Sequence, residues 1–393
     1  ASGLFSPDAQ EALRKPESER FTIVIPPPNV TGSLHIGHAL TCAIEDAIVR
    51  WHRMQGKSVL WLPGTDHAGI ATQTQVEKLL MKETGQTRHD LGREAFLEKV
   101  WEWKRIKGGR ITQQLRKLGA SVDWSREVFT MDEKLGIAVT EAFVRMYDQG
   151  HIYRKKRLVN WCSKLNTAIS DIEVDHEALK GRTLKKKCPG HDLEHEYEFG
   201  VIISFAYKVA NDDGSPSDEE IVVATTRLET MLGDTGVAVH PDDPRYTHLH
   251  GKRLVHPFRG DDHPHKTIPL VLDDILVDMA FGTGAVKITP AHDPNDYECG
   301  KRNSLEEIDI LDDNGAINEA GAPFAGIMRF DAREQIRTKL DAMGLYRGVA
   351  NNPMELPVCS RSGDIVEPRL KPQWFVNTEA MAATAFESGE FVV

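Results

Sequence analysis

Two short apolar runs, separated by a helical pattern, occupy residues 21–62 and constrain the fold more than any other feature of the chain. The run Phe-Thr-Ile-Val-Ile at 21–25 is β-branched and stops at three prolines, 26–28, which cannot donate to a sheet ladder. The run Val-Leu-Trp-Leu at 59–62 has the same character. Between them a helix is predicted up to about Arg53. Its apolar face comprises Leu34, Ile36, Leu40, Ile44, Ala47 and Ile48. A strand, helix and strand in under fifty residues predict a parallel connection, half of a nucleotide-binding α/β fold.

Length, composition and charge exclude several classes of protein. A chain of 393 residues is long enough for two to three domains with hydrophobic cores. No run approaches the ~18 apolar residues that a membrane span requires, so a membrane protein is excluded. The net charge of −11 means that local basic clusters, such as 154–157 and 185–187, have to meet any nucleic acid. Five cysteines in a long chain do not suggest a disulfide framework and favour a reducing compartment.

The character of the sequence changes at about residue 160. Helical patterns cover 92–118 and 137–149, and Gly108-Gly109 predicts a break or kink in the first of them. Beyond residue 160, short strand-like runs alternate with Pro, Gly and Asp clusters, which predicts a mostly β domain with helical decoration. The runs lie at 199–209, 221–226, 236–239, 268–277 and 284–289.

Two histidines, His35 and His38, lie three residues apart in the first turns of the first long helix, directly after a glycine-containing loop. This spacing places them on one face, where free backbone amides and the helix dipole favour a phosphate. Imidazole donors would add to that preference as charge grows on the phosphate. Two alternatives remain at this point: a metal site that includes Cys42, and two structural histidines without a chemical role.

Two polar clusters follow strand-like runs in the β-rich region, and either is consistent with a pocket or with capped strand ends. The first cluster, in ATTRLETMLGD at 224–234, contains Thr225, Thr226, Arg227, Glu229, Thr230 and Asp234. The second, in GTGAVKITPAHDPNDY at 282–297, contains Lys287, Thr289, His292, Asp293 and Asp296.

The segment PPPNVTGSLHIGHAL at 26–40 resembles the His-Ile-Gly-His signature of the class I aminoacyl-tRNA synthetases. Together with WLPGTDHAGIATQ at 61–73, it is similar to the valyl branch of that family in particular. The resemblance extends through residues 20 to 377, including DWSREVFTMD at 123–132 and NWCSKLNTAISDIEV at 160–174. It implies an α/β fold: the N-terminal half of a Rossmann-like catalytic domain with an inserted, mostly β editing domain.

The resemblance also implies an ATP-dependent ligase reaction in which valine is activated and passed to its tRNA. His35 and His38 would hold the ATP phosphates, and Gly37 would let the nucleotide approach closely. Pro27, Asn29 and Asp66 would line the valine pocket. Asp66 also makes physical sense by itself, because a carboxylate after a strand end can pair with an α-ammonium. Its structural alternative is an N-cap of the helix that begins near Ala68. Magnesium is expected with ATP, although no residue is clearly its ligand.

In the family, the two β-region clusters line a hydrolytic editing pocket for threonine-charged tRNA. Carried over to this sequence, Asp296 would bind the α-ammonium of the misattached residue. The residues that would shape the pocket around it are Arg227, Thr230, Lys287, Thr289 and Asp293. Thr225 and Thr226 are candidates for orienting the water or the ester through hydrogen bonds.

Zinc is not expected. Bacterial relatives carry Cys-x-x-Cys pairs at the two necks of the inserted domain, but here Cys162 is followed by Leu165 and Cys359 by Ser362. Two thiolates make a poor tetrahedral site. A second metal alternative, Cys188 with His191 and His195, lies in a polar loop for which a surface role is the simpler interpretation.

The expected organisation is an irregular lead-in at 1–19, the first half of the catalytic domain at 20–160, the editing domain at 161–353 and a return segment at 354–393. The second family signature, Lys-Met-Ser-Lys-Ser, is not in these residues. We therefore expect a fragment that does not activate valine by itself. The expected partners are the valine tRNA, valine and ATP, without a membrane and with no oligomeric state defined. The expected location is the cytoplasm, with the mitochondrion as the alternative. A free-standing deacylase of mischarged tRNA and an isoleucyl enzyme are the competing functions.

Overall fold

The computed structural model describes residues 3–185 and 187–388, and contacts between Cα atoms divide the chain into two units. The first unit comprises the described part of Ala1–Ile152 and Thr378–Val393, and the second comprises Tyr153–Asn377. Lys186 of the basic cluster at 185–187 and the ends of the lead-in and return segments lie outside the described residues.

The first unit is mostly helical around short parallel strands. Its elements are α1 (Ala9–Arg14), β1 (Arg20–Val24), α2 (Ile36–Met54), β2 (Ser58–Leu62), β3 (Gly64–Thr65), α3 (Ile70–Thr84), α4 (Arg88–Leu91), α5 (Arg93–Leu118), β4 (Val128–Phe129) and α6 (Glu133–Asp148). Strands β1 and β2 pair in parallel from Arg20 opposite Ser58 to Val24 opposite Leu62, and β3 pairs in parallel with β4. The strand, helix and strand expected over 21–62 are therefore present, with α2 as the crossover.

The predicted apolar face of α2 is exposed in the structure. Ile36 and Leu40 are 86% and 62% exposed, whereas Cys42 and Val49, seven residues apart, are buried in the same core cluster as Trp61 of β2. The periodicity identified the helix correctly but not the side that packs on the strand. Of the break or kink expected at Gly108-Gly109, the break was wrong, because helix α5 is continuous through both glycines. A Cβ on Gly108 would make only an ordinary contact, 3.9 Å from the Val30 side chain.

The second unit is built mainly from strands, as the texture beyond residue 160 predicts. Its elements are β5 (Ile152–Cys162), β6 (Thr167–Ile169), β7 (Val174–Leu179), β8 (Thr183–Lys185), β9 (Tyr197–Phe199), β10 (Val201–Ala210), β11 (Pro216–Thr225), β12 (Gly236–Val239), β13 (Arg253–Val255), β14 (Thr267–Leu272), β15 (Ala285–Ile288), α7 (Pro294–Arg302), α8 (Arg329–Ala342), β16 (Tyr346–Asn351), β17 (Met354–Cys359) and β18 (Glu367–Val376). Helix α9 (Glu379–Ser388) follows and belongs to the first unit.

A seven-stranded sheet organises the second unit, in the order β11-β10-β13-β14-β12-β15 with β16 also paired to β10. Strands β12 and β15 are antiparallel, with Val237 opposite Lys287. This pairing brings the segment before β12 beside the end of β15. The 3-10 helix Leu228–Gly233 follows β11 and is buried throughout. Strands β18, β5 and β6 form a separate three-stranded sheet.

In the part of the chain that the structure describes, no helix is both long and apolar enough to cross a bilayer.

The tight connection between β9 and β10 provides a test of the fold. Gly200 has a φ of +72°, and a Cβ there would overlap the Gly181 carbonyl. Gly214, in the turn between β10 and β11, has a φ of +78° with open space around it. Ala at position 214 should cost about 1 kcal/mol of unfolding free energy, the strain of a left-handed residue. Gly200→Ala should cost about 3 kcal/mol or more, because the backbone has to shift as well. Urea unfolding of both variants measures the difference, and equal losses would contradict the packing described.

Candidate functional site

Two of the predicted pocket residues of the first unit lie side by side where parallel strands end. Asn29 and Asp66 form a parallel bridge just beyond β1 and β2. The Val30 amide donates to the Asp66 carbonyl at 2.9 Å, and the Asp66 amide donates to the Pro28 carbonyl at 2.9 Å. Crevices at the carboxyl ends of such strands are the usual ligand sites of α/β folds.

The Asp66 carboxylate is oriented by two neighbours and remains accessible. One oxygen accepts from the Ala68 amide at 2.9 Å, and the other accepts from the Thr130 hydroxyl at 3.0 Å. The side chain keeps 28% of its exposure. It does not cap the following helix, because α3 begins at Ile70 after Gly69 and has no side-chain cap. Thr130 was not predicted from the sequence, since it lies 64 residues away.

His35 and His38 together cap the first turn of α2. The Nδ1 of His35 accepts from the Gly37 amide at 3.1 Å, and the Nδ1 of His38 accepts from the His35 amide at 3.3 Å. A neutral imidazole that accepts at Nδ1 carries its proton on Nε2, so each ring presents an N–H donor. Burial, followed by the neighbouring His35, lowers the pKa of His38 and favours this neutral form. The pair is therefore structural and able to donate at the same time.

The immediate surroundings of Gly37 and Pro27 explain why these two residue types occur there. A Cβ on Gly37 would lie 3.0 Å from the His35 ring, so the absent side chain makes room for that ring. Pro27 is exposed and packs toward the Gly64 backbone beside the strand ends.

Two of the predicted pocket residues of the second unit, Lys287 and Thr289, contact a buried carboxylate to which the sequence assigned no role, Asp234. Asp234 is fully buried. It accepts from the Tyr207 hydroxyl at 2.6 Å, from the Lys287 ammonium at 3.2 Å and from the Thr289 hydroxyl at 2.5 Å. Burial raises its pKa, and the Lys287 charge opposes that effect. The pairing of β12 with β15 is what places Lys287 next to Asp234.

Asp296 lies next to this network on the first turn of α7. One of its oxygens accepts from the Thr289 amide at 2.8 Å. The other oxygen has no donor among the described residues. Asp293 is the N-cap of α7 and accepts from the amides of Asn295 and Asp296. Burial raises the pKa of Asp296 to about 7, with the Lys287 charge opposing and Asp293 adding to the increase. A buried carboxyl with an unused acceptor is suited to receiving a cation.

Arg227 connects the two polar clusters. Its guanidinium donates to the His292 carbonyl at 2.7 Å and contacts the buried carboxylate of Glu367, at the start of β18. Burial lowers the pKa of Arg227, and Glu229 opposes this. Glu229 is itself held by Arg333 of α8 through two hydrogen bonds of 2.7 and 2.9 Å.

The three threonines of the first cluster differ in what their hydroxyls do. Thr230 donates to the Arg227 carbonyl at 2.9 Å, so its hydroxyl stabilises the 3-10 helix. The Thr225 oxygen accepts from the Arg227 amide at 3.0 Å, which leaves its proton for another acceptor. Thr226 lines a small cavity of about 20 Å³ that Arg333 also lines.

Sequence reasoning missed Tyr207 and Glu367 as members of this site. It named Asp234 in the first cluster but assigned it no role, because that role depends on partners 27 and 53 residues away. No local pattern in the sequence marks Tyr207 or Glu367.

The metal alternatives have no further support. Over residues 3–185 and 187–388, no three or more His, Cys, Asp and Glu side chains are grouped so that they could hold a metal ion. Cys162 and Cys359 are buried, and the Cys162 sulfur lies 3.2 Å from the Ser362 hydroxyl. His195 instead contacts Glu334, and the His191 ring stacks on Phe330 at 4.4 Å.

Comparison with known proteins gives one family. The family model of class I tRNA synthetases (I, L, M and V) matches residues 2–392. Valine–tRNA ligase of Mus musculus is 58% identical over 385 residues, covering 98% of this chain and 30% of that protein. Valine–tRNA ligase of Homo sapiens is 59% identical over 365 residues, covering 93% and 28%. The mitochondrial valine–tRNA ligase 1 of Arabidopsis thaliana is 57% identical over 387 residues, covering 98% and 33%. The chain thus spans about a third of the length of these curated relatives.

Among solved structures, the agnB2 LeuRS–tRNA–LeuAMS complex of Agrobacterium radiobacter K84 matches with a TM-score of 0.34 and 17% identity. The match covers 86% of this chain and 46% of that one.

The raised pKa of Asp296 predicts that this residue destabilises the protein. The native state keeps its proton up to about pH 7, whereas the ordinary pKa is 3.8, so the parent loses stability as the pH rises between these values. Asp296→Asn keeps an acceptor for Thr289 and removes the buried charge. At pH 8 the variant should gain up to about 4 kcal/mol of unfolding free energy over the parent, which a higher melting temperature would reveal. The gain should shrink toward pH 5. Asp274→Asn, at an exposed position of the same unit, should change little at either pH. A gain independent of pH would contradict this account.

Proposed function

The chain belongs to the class I tRNA synthetase family (I, L, M and V), and on that premise we propose that it carries valine- and ATP-binding residues in one unit and a threonine-editing site in the other. The relatives named valine–tRNA ligase, at 57–59% identity, support valine over the other substrates of the family. In this proposal the first unit contains most of the N-terminal half of a Rossmann-like catalytic domain, expected at 20–160, and the second unit contains an inserted editing domain, expected at 161–353. We place the function in the cytosol or the mitochondrion, since one of those relatives is named mitochondrial.

In the proposed activation site, Asp66 binds the α-ammonium of valine. The support for this role is its position at a strand end, with its carboxylate fixed by Thr130 and Ala68 and 28% of its side chain exposed. Asn29 and Pro27 lie beside it and would border the amino acid. The valine carboxylate attacks the α-phosphate of ATP, and pyrophosphate leaves.

His35 and His38 would donate their Nε2 protons to the ATP phosphates in this reaction. Both rings are locked by backbone amides, so they donate without a rearrangement when negative charge increases on the phosphate. Magnesium is part of the nucleotide substrate in this proposal. The described residues offer no cluster to hold it, so no step is assigned to a protein-bound ion.

The editing proposal addresses a specific limit of amino-acid selection. Threonine has nearly the shape of valine, and a hydrophobic pocket rejects it only ~100-fold, a limit for which valyl enzymes are the standard example. A second site that accepts the hydroxyl and hydrolyses the ester would supply the remaining discrimination.

The observation that carries the editing proposal is the unused oxygen of Asp296 next to a fully paired polar network. An α-ammonium would take the place of a missing donor, and its charge would stabilise the ionised carboxylate near neutral pH. Lys287 and Thr289, held by Asp234, would form the wall of the pocket. Arg227 and Asp293 would border the terminal adenosine. Thr225, whose proton is available, would orient the ester or the attacking water.

Deacylation of two charged tRNAs tests this function directly. The chain should release threonine from threonine-charged valine tRNA faster than it releases valine from the cognate species. Asp296→Ala should slow the threonine reaction roughly 10- to 100-fold, the effect of one charge-assisted hydrogen bond. Asp274→Ala, at an exposed position, provides the matched control.

Equal rates on the two tRNAs would contradict editing. Unchanged threonine release by the Asp296→Ala variant would contradict the assignment of Asp296.

A further inference from the structure

Four consecutive cations, Arg154, Lys155, Lys156 and Arg157, are exposed on β5 of the second unit. No acidic side chain pairs with any of them among the described residues. This arrangement is unusual in a chain with a net charge of −11.

Other cations of the same three-stranded sheet are paired. Arg369 of β18 binds Asp309 at 2.9 Å, and Lys371 of β18 contacts Asp313. Acidic partners are thus available to the sheet but do not reach the exposed end of β5. An ordinary charged surface would explain why the four cations are exposed. It would not explain why aromatic rings lie beside them.

Two aromatic rings lie with the cations on one face of the sheet. Alternation along β5 places Tyr153, Lys155 and Arg157 on the same side. The Tyr153 and Phe375 rings stack with centroids 5.8 Å apart and an interplanar angle of 27°. The Arg157 guanidinium lies 4.7 Å from the Phe375 centroid and donates to the Tyr153 hydroxyl at 3.2 Å.

The sheet is narrow at this end, which leaves the face open. Strand β6 pairs only with Asn160, Trp161 and Cys162 of β5, so it does not extend beside 153–157, and β18 is the other neighbour of β5 in the sheet. We call Tyr153, Lys155, Arg157 and Phe375 the basic-aromatic face.

We propose that the basic-aromatic face binds single-stranded RNA, the unpaired 3′ end of a tRNA. Cations that lack acidic partners attract the phosphates, and half-buried rings offer surfaces on which unpaired bases stack. A duplex hides its bases, so the rings favour a single strand. The identity of the RNA as a tRNA rests on the proposed function, whereas the binding of a single strand does not.

Fluorescence anisotropy with a labelled 12-nucleotide single-stranded RNA tests the face on the whole chain. The parent should bind it more tightly than an RNA hairpin of equal length. The double variant Lys155→Gln with Arg157→Gln should weaken binding and reduce the slope of log K against log salt by about 1.4, or ~0.7 for each lost phosphate contact. Phe375→Leu and Tyr153→Leu should each weaken binding roughly fivefold or more, since each removes a stacking ring. Neither removes a cation, so the salt slope should stay close to the parent's, although Tyr153→Leu also removes the hydroxyl that accepts from Arg157.

The control is Lys78→Gln with Lys82→Gln, two exposed cations of α3. It should leave the affinity unchanged. The proposal would be overturned if the parent did not bind the single-stranded RNA, or if it bound the hairpin with equal affinity. An equal loss of affinity in the control variant would also overturn it. So would an unchanged affinity in both aromatic variants, provided that their melting temperatures match the parent's. Because no aminoacyl group is involved, these outcomes are independent of the deacylation result.

Discussion

The need to pair charged groups held out of water constrains the unit Tyr153–Asn377 more than any other interaction. An isolated buried charge costs several kcal/mol, so each such group requires partners. The partners of Asp234 come from β10 and β15, which are 27 and 53 residues away in sequence. Separating these elements would leave a buried carboxylate unpaired. The interactions that stabilise this unit therefore also fix the positions of the candidate editing residues.

Asp234 and Asp296 show how the same environment produces two different roles. Asp234 receives hydrogen bonds from three side chains and is fully buried, so its carboxylate is not accessible to a ligand. Asp296 receives one backbone hydrogen bond, although it is almost as deeply buried. The incomplete pairing of Asp296 is the basis of the predicted loss of stability above its pKa. In the proposed editing site, Asp234 would be a supporting residue and Asp296 the group that binds the cation.

The sequence predicted features that depend on local pattern. The prolines after the first strand, the two histidines three residues apart and the acid after the second strand all lie at strand or helix ends, as their types and spacing indicate. It did not predict which side of α2 packs, because the exposed Ile36, Leu40 and Ile44 and the buried Cys42 and Val49 each have helical spacing. Only packing against β2 distinguishes the two sides. Local sequence patterns do not reveal contacts between residues that are distant in sequence. The roles of Tyr207, Glu367 and Thr130 depend on such contacts. Gly108 and Gly109 were interpreted as a helix break, whereas helix α5 continues through both.

The central claim is that Asp66 and Asp296 each bind an α-ammonium, one in each unit. Equilibrium binding of two stable analogues to the same chain tests it most directly: a sulfamoyl mimic of the valyl adenylate and an amide-linked threonyl adenosine. Asp66→Asn should weaken only the adenylate mimic, and Asp296→Asn only the ester mimic, each roughly 10- to 100-fold. If the two variants affected both analogues equally, or if neither substitution changed the affinity of its analogue, the claim would be contradicted.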